Sequence, residues 1–166
     1  LLTIETSFLN GKYTEDDIIG LKFEGLVAFI DPIRKDVIKS IRECNNAGIK
    51  VLMITGDHPL TAFAIAKQLG ISTDFKQVTN GDEIEKILAK GHKEFDKFVK
   101  DKTVFTRVTP IQKLEIVNSY IRQNEFVAVT GDGVNDAPAI KAANIGVAMG
   151  SGTDVAKSTA KMIVID

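Results

Sequence analysis

A mostly parallel β-sheet with α-helices on both faces is the architecture the sequence predicts, and three observations predict it. From Phe23 onward, short apolar runs alternate with segments whose apolar residues recur at helical spacing. The connections between them are short, as in βαβ units. Acidic and turn-forming residues collect where the apolar runs end: Asp31 after one, Thr55 and Asp57 after the next, Asp132 and Asp136 after a later one. In open parallel sheets, ligands sit beyond the carboxyl ends of the strands.

The elements follow in order. Residues 1–21 carry the weakest pattern: Asn10-Gly11 reads as a loop or hairpin tip, and Thr14 with Asp17 resembles a capping box opening a helical turn from Asp16 to Leu21. The continuous apolar run Gly25–Ile30 predicts a strand buried on both faces. Asp31-Pro32 then starts a helix, with Asp as N-cap and Pro in the first turn; Ile33, Val37, Ile38, Ile41 and Cys44 form its inner face, and Gly48 closes it. A strand over Ile49–Ile54 leads through Thr55-Gly56-Asp57 into a helix over Pro59–Leu69, apolar almost all round and so expected between layers.

Residues 70–102 are local and charged, with two short helices predicted at Asp82–Lys90 and Lys93–Lys100. A strand at Thr103–Phe105 precedes Arg107 and a helix opened by Thr109, Pro110 and Gln112, a capping box whose stripe is Ile111, Leu114, Val117 and Ile121. The remainder reads as a strand at Phe126–Val129, the loop Thr130–Asp136, a helix near Pro138–Ala143, a strand at Ile145–Ala148, a helix near Asp154–Ala160 and a strand at Met162–Ile165.

Composition narrows the function classes. At 166 residues, with 44% hydrophobic and 26% charged residues, the chain fits one globular domain. A net charge of −1 and no basic stripe argue against nucleic acid. A lone cysteine, Cys44, leaves no intrachain disulfide and suggests a reducing, intracellular setting. No apolar stretch approaches the ~18 residues of a membrane span, so the chain is expected to be soluble, whatever its parent is. His58 and His92 lack partners at metal-ligand spacing, no acyl-transfer motif occurs, and the glycines of 146–152 are not followed by the Lys-Ser or Lys-Thr of a P-loop.

The loop Thr130-Gly131-Asp132-Gly133-Val134-Asn135-Asp136 holds two carboxylates four positions apart, with two glycines that permit a sharp turn. Such a loop can offer half of a Mg²⁺ site, the rest being phosphate and other oxygens. A bare Gly-Asp-Gly is more simply a turn, with Asp136 a helix cap. Thr55 and Gly56 offer a hydroxyl and an amide to an anion at a helix N-terminus. Asp57 is equally readable as the cap of that helix. Lys113 stands in a first helical turn, where the helix dipole does not favour a cation, and suits a phosphate as a point charge. Asp31 and Arg34 are also readable as a cap and an i,i+3 pair.

Together, Asp31-Pro32-Ile33-Arg34, Met53-Ile54-Thr55-Gly56-Asp57, Thr109-Pro110 with Lys113, the loop 130–136, Ala137-Pro138-Ala139 and Gly146-Val147-Ala148-Met149-Gly150 resemble the phosphorylation domain of P-type cation-transporting ATPases, a Rossmann-like domain of the haloacid dehalogenase-like superfamily. The stretch Thr55–Ala62 is most similar to type II pumps, the calcium and sodium/potassium branch. The resemblance implies that Asp132 is the Mg²⁺ ligand, supported by Asp136, and that Asn135 and Asp136 order the loop. It implies that Thr55, Gly56 and Lys113 hold phosphoryl oxygens, that Asp57 is among the phosphate- or nucleotide-binding residues, and that Asp31, Arg34 and Arg107 contact ATP or the hinge. It further implies residues 1–22 as the tail of a nucleotide-binding domain, 23–166 as the C-terminal part of the phosphorylation domain, and actuator, nucleotide-binding and transmembrane domains as partners at the cytoplasmic face of a membrane.

The departure is the missing Asp-Lys-Thr-Gly-Thr motif, which in the family carries the phosphorylated aspartate and ends the central strand. Two alternatives therefore stay open: a free-standing phosphatase of the same superfamily, and a non-catalytic module descended from a pump. Without the central strand, the strands bearing Thr55 and Thr130 each have an open edge, and such edges recruit partners. The gap is expected to close by direct pairing, by a strand borrowed from another chain, or by a missing piece. A single chain with no pairing across the gap counts against all three.

Overall fold

The computed structural model describes residues 2–3, 20–27 and 32–165. They divide into two compact units, 1–33 and 34–166. In the first, β1 (Leu2–Thr3) pairs antiparallel with β2 (Lys22–Phe23), Leu2 opposite Phe23. The strand expected over Gly25–Ile30 is not formed at residues 25–27. These are irregular there, with Leu26 90% exposed, while 28–30 lie outside the described residues. A strand buried on both faces needs a packing layer over each, and Leu26 and Val27 are exposed. The Asn10-Gly11 and Asp16 predictions also lie outside the described residues, apart from Gly20 and Leu21.

The second unit is α/β, with helices and parallel strands alternating: α1 (Lys35–Asn46), β3 (Met53–Thr55), α2 (Pro59–Leu69), β4 (Val78–Asn80), α3 (Gly81–Leu88), α4 (His92–Lys100), β5 (Val104–Thr106), α5 (Pro110–Arg122), β6 (Ala128–Gly131), α6 (Ala137–Ala142), β7 (Ile145–Met149), α7 (Asp154–Thr159) and β8 (Met162–Val164). Two parallel three-stranded sheets result, ordered β3-β5-β4 and β6-β7-β8. No described helix is long and apolar enough to cross a membrane.

β4 was not expected. Val78 and Thr79 are buried because β5 takes β4 as its second neighbour, opposite β3. The helix predicted from Asp31-Pro32 begins later, at Lys35 with Arg34 in the cap position, so Pro32 precedes the helix instead of occupying its first turn. α2 buries only Ala62, Ala66 and Leu69; Leu60 is 64% exposed, so the helix covers one sheet face and is not sandwiched between layers.

Among the described residues no strand joins β3 to β6. The direct pairing expected as one way to close the gap is therefore not formed. α5 holds the sheets together instead. Ile116 packs into the cluster of Phe105, Ile84, Phe95 and Val99 with Ile54 against it, while the adjacent Val117 packs with Ala139, Ala143 and the β6-side residues Val127 and Val129. Adjacent residues on a helix point about 100° apart, which is how one helix serves two sheets. Its stripe consequently differs from the predicted one: Ile111 is 73% exposed, whereas Gln112, Ile116, Val117 and Ser119 are buried. The capping box is present as read, and Gln112 also donates from Nε2 to Gly81 O at 3.0 Å, tying α5 to the start of α3.

Further along α5, the Tyr120 hydroxyl donates to Val99 O at 3.2 Å. Burial, then the charge of Glu125, push its phenol up from an ordinary value near 10 to about 12. A raised folded value means that this contribution is complete below pH 10 and is lost as pH rises through about 12, because the unfolded phenol ionises first. Tyr120→Phe is expected to cost about 1 kcal/mol at neutral pH through the lost hydrogen bond. The gap between wild type and variant in urea unfolding should shrink as pH rises above 10. A gap that stays constant through this range would remove burial of the hydroxyl as the cause.

Candidate functional site

The carboxyl ends of β3, β5 and β6 deliver most of the predicted site residues. β6 runs two residues past the predicted Val129, to Gly131, so the acidic turn begins within the strand. It continues through a 3₁₀ turn, Val134–Asp136, into α6. Asp136 is the centre of this turn. Its Oδ1 accepts a hydrogen bond from Lys113 Nζ, and its Oδ2 accepts the Asp132 and Gly133 amides at 3.2 and 3.1 Å. Burial works against its charge, but the Lys113 hydrogen bond, the Gly133 amide, the Lys113 charge and the Asp132 amide outweigh burial and hold the carboxyl below its ordinary 3.8.

Asp132 is placed differently. Its main chain is fixed at both ends, the N–H donating to Asp136 and the C=O accepting the Thr153 amide at 2.8 Å, but its carboxylate takes no hydrogen bond or ion pair among the described residues. The loop thus separates two roles that the spacing alone left undivided. Asp136 is spent on holding the turn and Lys113. Asp132 is free for a ligand. Asn135 is exposed in the 3₁₀ turn.

Thr55, Gly56 and Asp57 form a second turn, at the end of β3. Thr55 Oγ1 accepts the Asp57 amide at 3.1 Å, and the N-cap of α2 is His58, whose Nδ1 accepts the Leu60 amide, so Asp57 is not the cap. No hydrogen bond or ion pair among the described residues links this turn to Lys113 or to the acidic loop. Arg107, in β5's exit, has φ +50° and donates its amide to Thr55 O at 2.9 Å. A non-glycine residue in that region is uncommon and costly, and it persists only where its surroundings fix it. Here Gly81 fixes it from the other side: a Cβ on Gly81 would stand 2.5 Å from Arg107 O. Arg107 lines a cleft of about 320 Å³ with His58, Pro59, Asn80, Gly81 and Asp82. Arg34 is exposed ahead of α1, and Asp31 lies outside the described residues.

Among the described residues no three of His, Cys, Asp and Glu group to hold a metal. The unpaired Asp132 carboxylate fits a hard cation that keeps its waters and shares a substrate phosphate, which is how Mg²⁺ is commonly held. Sequence reasoning passed over Gly152 and Thr153, seen only as part of a glycine-rich stretch that is not a P-loop. The signal was Thr153 itself, an N-cap residue opening α7 immediately after Gly150-Ser151-Gly152.

Comparison with known proteins agrees with this geometry. The chain is 47% identical over 152 residues to Calcium-transporting ATPase 1 of Lactococcus lactis subsp. lactis (strain IL1403), covering 92% of this chain and 17% of that protein. It is 44% identical to the sodium/potassium-transporting ATPase subunit alpha-A of Artemia franciscana, covering 90% and 17%. The chain therefore spans about a sixth of the length of these relatives. Among solved structures, a zinc-transporting PIB-type ATPase in the E2.Pi state superposes with a TM-score of 0.55 at 36% identity, covering 78% of this chain and 16% of that one. The catalytic domain of the CPx-ATPase CopB-B gives 0.57 at 24% identity, over 78% and 40%, and supports the fold. The family described as haloacid dehalogenase-like hydrolase matches residues 5–144. With that match spanning most of the sequence, and parallel strands that end on an acidic loop, the chain belongs to the haloacid dehalogenase-like hydrolases.

Proposed function

We propose that the chain is the C-terminal part of the phosphorylation domain of a type II P-type ATPase, an ATP-driven cation pump, with residues 1–22 the tail of its nucleotide-binding domain. Calcium is the cation that the names of several relatives support. The single observation that carries the proposal is the division of labour in the acidic loop: Lys113 and Asp136 locked together, Asp132 beside them with a free carboxylate. In this reading the domain lies at the cytoplasmic face of a membrane, with nucleotide-binding, actuator and transmembrane domains as its partners.

Asp132 would hold Mg²⁺, which when bound offsets the negative charge of a transferring phosphoryl group. Asp136 keeps the Lys113 ammonium at the strand ends, where it serves phosphoryl oxygens as a point charge. Thr55 and Gly56 present a hydroxyl and an amide from the neighbouring turn. Asn135, exposed in the same loop, would order it around metal and phosphate, and Arg34 and Arg107 are left for the nucleotide or the hinge, with Arg107 in the cleft beside His58.

The nucleophile is not in this sequence. Labelled ATP with Mg²⁺ is expected to give no acid-stable counts on the isolated chain, and Mg²⁺-dependent counts on a protein in which the chain follows an Asp-Lys-Thr-Gly-Thr segment in its own reading frame. Counts on the isolated chain, or hydrolysis of a small phosphoester by it, would favour a free-standing phosphatase instead.

A further inference from the structure

The loop between β7 and α7 is hydrogen-bonded to the acidic turn through main-chain atoms, and from a fixed position. Gly150 N–H donates to Val164 O at 2.7 Å, Gly152 N–H to Met149 O at 2.9 Å, and Thr153 N–H to Asp132 O at 2.8 Å. Gly152 sits so close that a Cβ built there would lie 2.9 Å from Asp132 O, 3.0 Å from Asp132 Cα and 2.9 Å from Met149 O. All three are backbone atoms, which cannot swing aside as a flexible side chain can. None of this requires a left-handed backbone at Gly152, so its role there is space.

We infer that Gly152 and the Thr153 amide are positioning residues for the Asp132 carboxylate, acting as a brace that runs from β8 through the 150–153 loop to the main chain of the metal-binding residue. The inference rests on the reading of Asp132 as the Mg²⁺ ligand. Its physical basis is that a site with a single chain carboxylate cannot correct a misdirected ligand with a second one. The backbone under Asp132 must therefore set the direction in advance. The Asp132 N–H, in the peptide before its Cα, is already engaged by Asp136, and the Thr153 hydrogen bond to the C=O restrains the peptide after it, so both planes that flank the Asp132 Cα are held.

Two variants separate bracing from mere stability. Thr153 has φ −67°, a value proline adopts, so Thr153→Pro deletes the N–H donor. Thr153→Ala keeps that donor and loses only the side-chain cap, in which Oγ1 accepts the Ala156 amide at 3.3 Å. A Mg²⁺ titration of the 166-residue chain in the presence of inorganic phosphate, followed through the amide resonances of Asp132 and Gly133, is expected to saturate in wild type and to be lost in Asp132→Asn. Gly152→Ala and Thr153→Pro should each need at least about tenfold more Mg²⁺, while Thr153→Ala titrates as wild type. Wild-type titration of Gly152→Ala and Thr153→Pro, with Asp132→Asn silent, would overturn the brace alone. A weakened Thr153→Ala would also overturn it, because the effect would then follow the cap. If wild type shows no saturable shift, or Asp132→Asn behaves like wild type, the Mg²⁺ reading falls and takes the brace with it.

Discussion

Asp136→Ala is expected to lower the unfolding free energy by about 2–3 kcal/mol and the melting temperature by roughly 5–10 °C. The substitution removes the acceptor of three donors at once and leaves the Lys113 ammonium, only 20% exposed, without its counter-charge. Breaking a fully buried pair costs about 3–5 kcal/mol, and the residual exposure of both partners moves the expectation to the lower end. Because the folded carboxyl lies below 3.8, the charged form contributes fully above that value and its contribution is lost as pH falls through the lower, folded value. The wild-type and Asp136→Ala stability curves should therefore run parallel at neutral pH and converge below about pH 4. Lys113→Met combined with Asp136→Ala should cost less than the sum of the single changes, since each single variant already abolishes the pair. A gap that persists unchanged into strong acid, or strict additivity, would mean that the contact is not ionic in solution.

Where the sequence was readable, one strong local signal sufficed. The Thr109/Gln112 capping box with Pro110 fixed the start of α5, and through it the place of Lys113. The parallel α/β character was equally open to reading, since alternating apolar runs and helical patterns need no long-range information. β4 escaped because Val78 and Thr79 are buried by pairing with β5, which follows them by more than twenty positions, and no periodicity in Val78-Thr79-Asn80 announces that. Over residues 25–27 the apolar run that opens at Gly25 misled for the opposite reason: apolar composition states what a segment can bury, not whether a neighbour is there to bury it. In the site, the spacing of Asp132 and Asp136 showed that both carboxylates share one loop. Only the hydrogen bonds distinguish the one that holds the loop from the one left free, because that distinction depends on where Lys113 and Thr153 arrive from other elements.

The two glycines of the acidic loop make the sharpest contrast. As a sequence, Gly131-Asp132-Gly133 suggests two residues chosen for backbone freedom. Yet neither has a left-handed φ, and Gly133 sits at −100°, which any residue adopts. A Cβ on Gly131 would meet Asp136 Cβ at 2.5 Å and Asp136 Cγ and Oδ2 at 2.7 Å, whereas one on Gly133 comes no closer than 3.5 Å to Asp136 Oδ2. Gly131→Ala must therefore push Asp136 out of position and pull Lys113 with it, at a cost of about 2 kcal/mol from overpacking alone. In the intact pump proposed above, a displacement of about 1 Å in these groups is expected to slow phosphorylation on the order of a hundredfold. Gly133→Ala should change stability by no more than about 0.5 kcal/mol and leave phosphorylation nearly intact. Urea unfolding and the rate of acid-stable phosphoprotein formation, measured on both variants, decide the matter. Equal losses would show that the loop needs glycine for its flexibility, and a harmless Gly131→Ala would show that Asp136 is not held where its contacts with Lys113 require it to be.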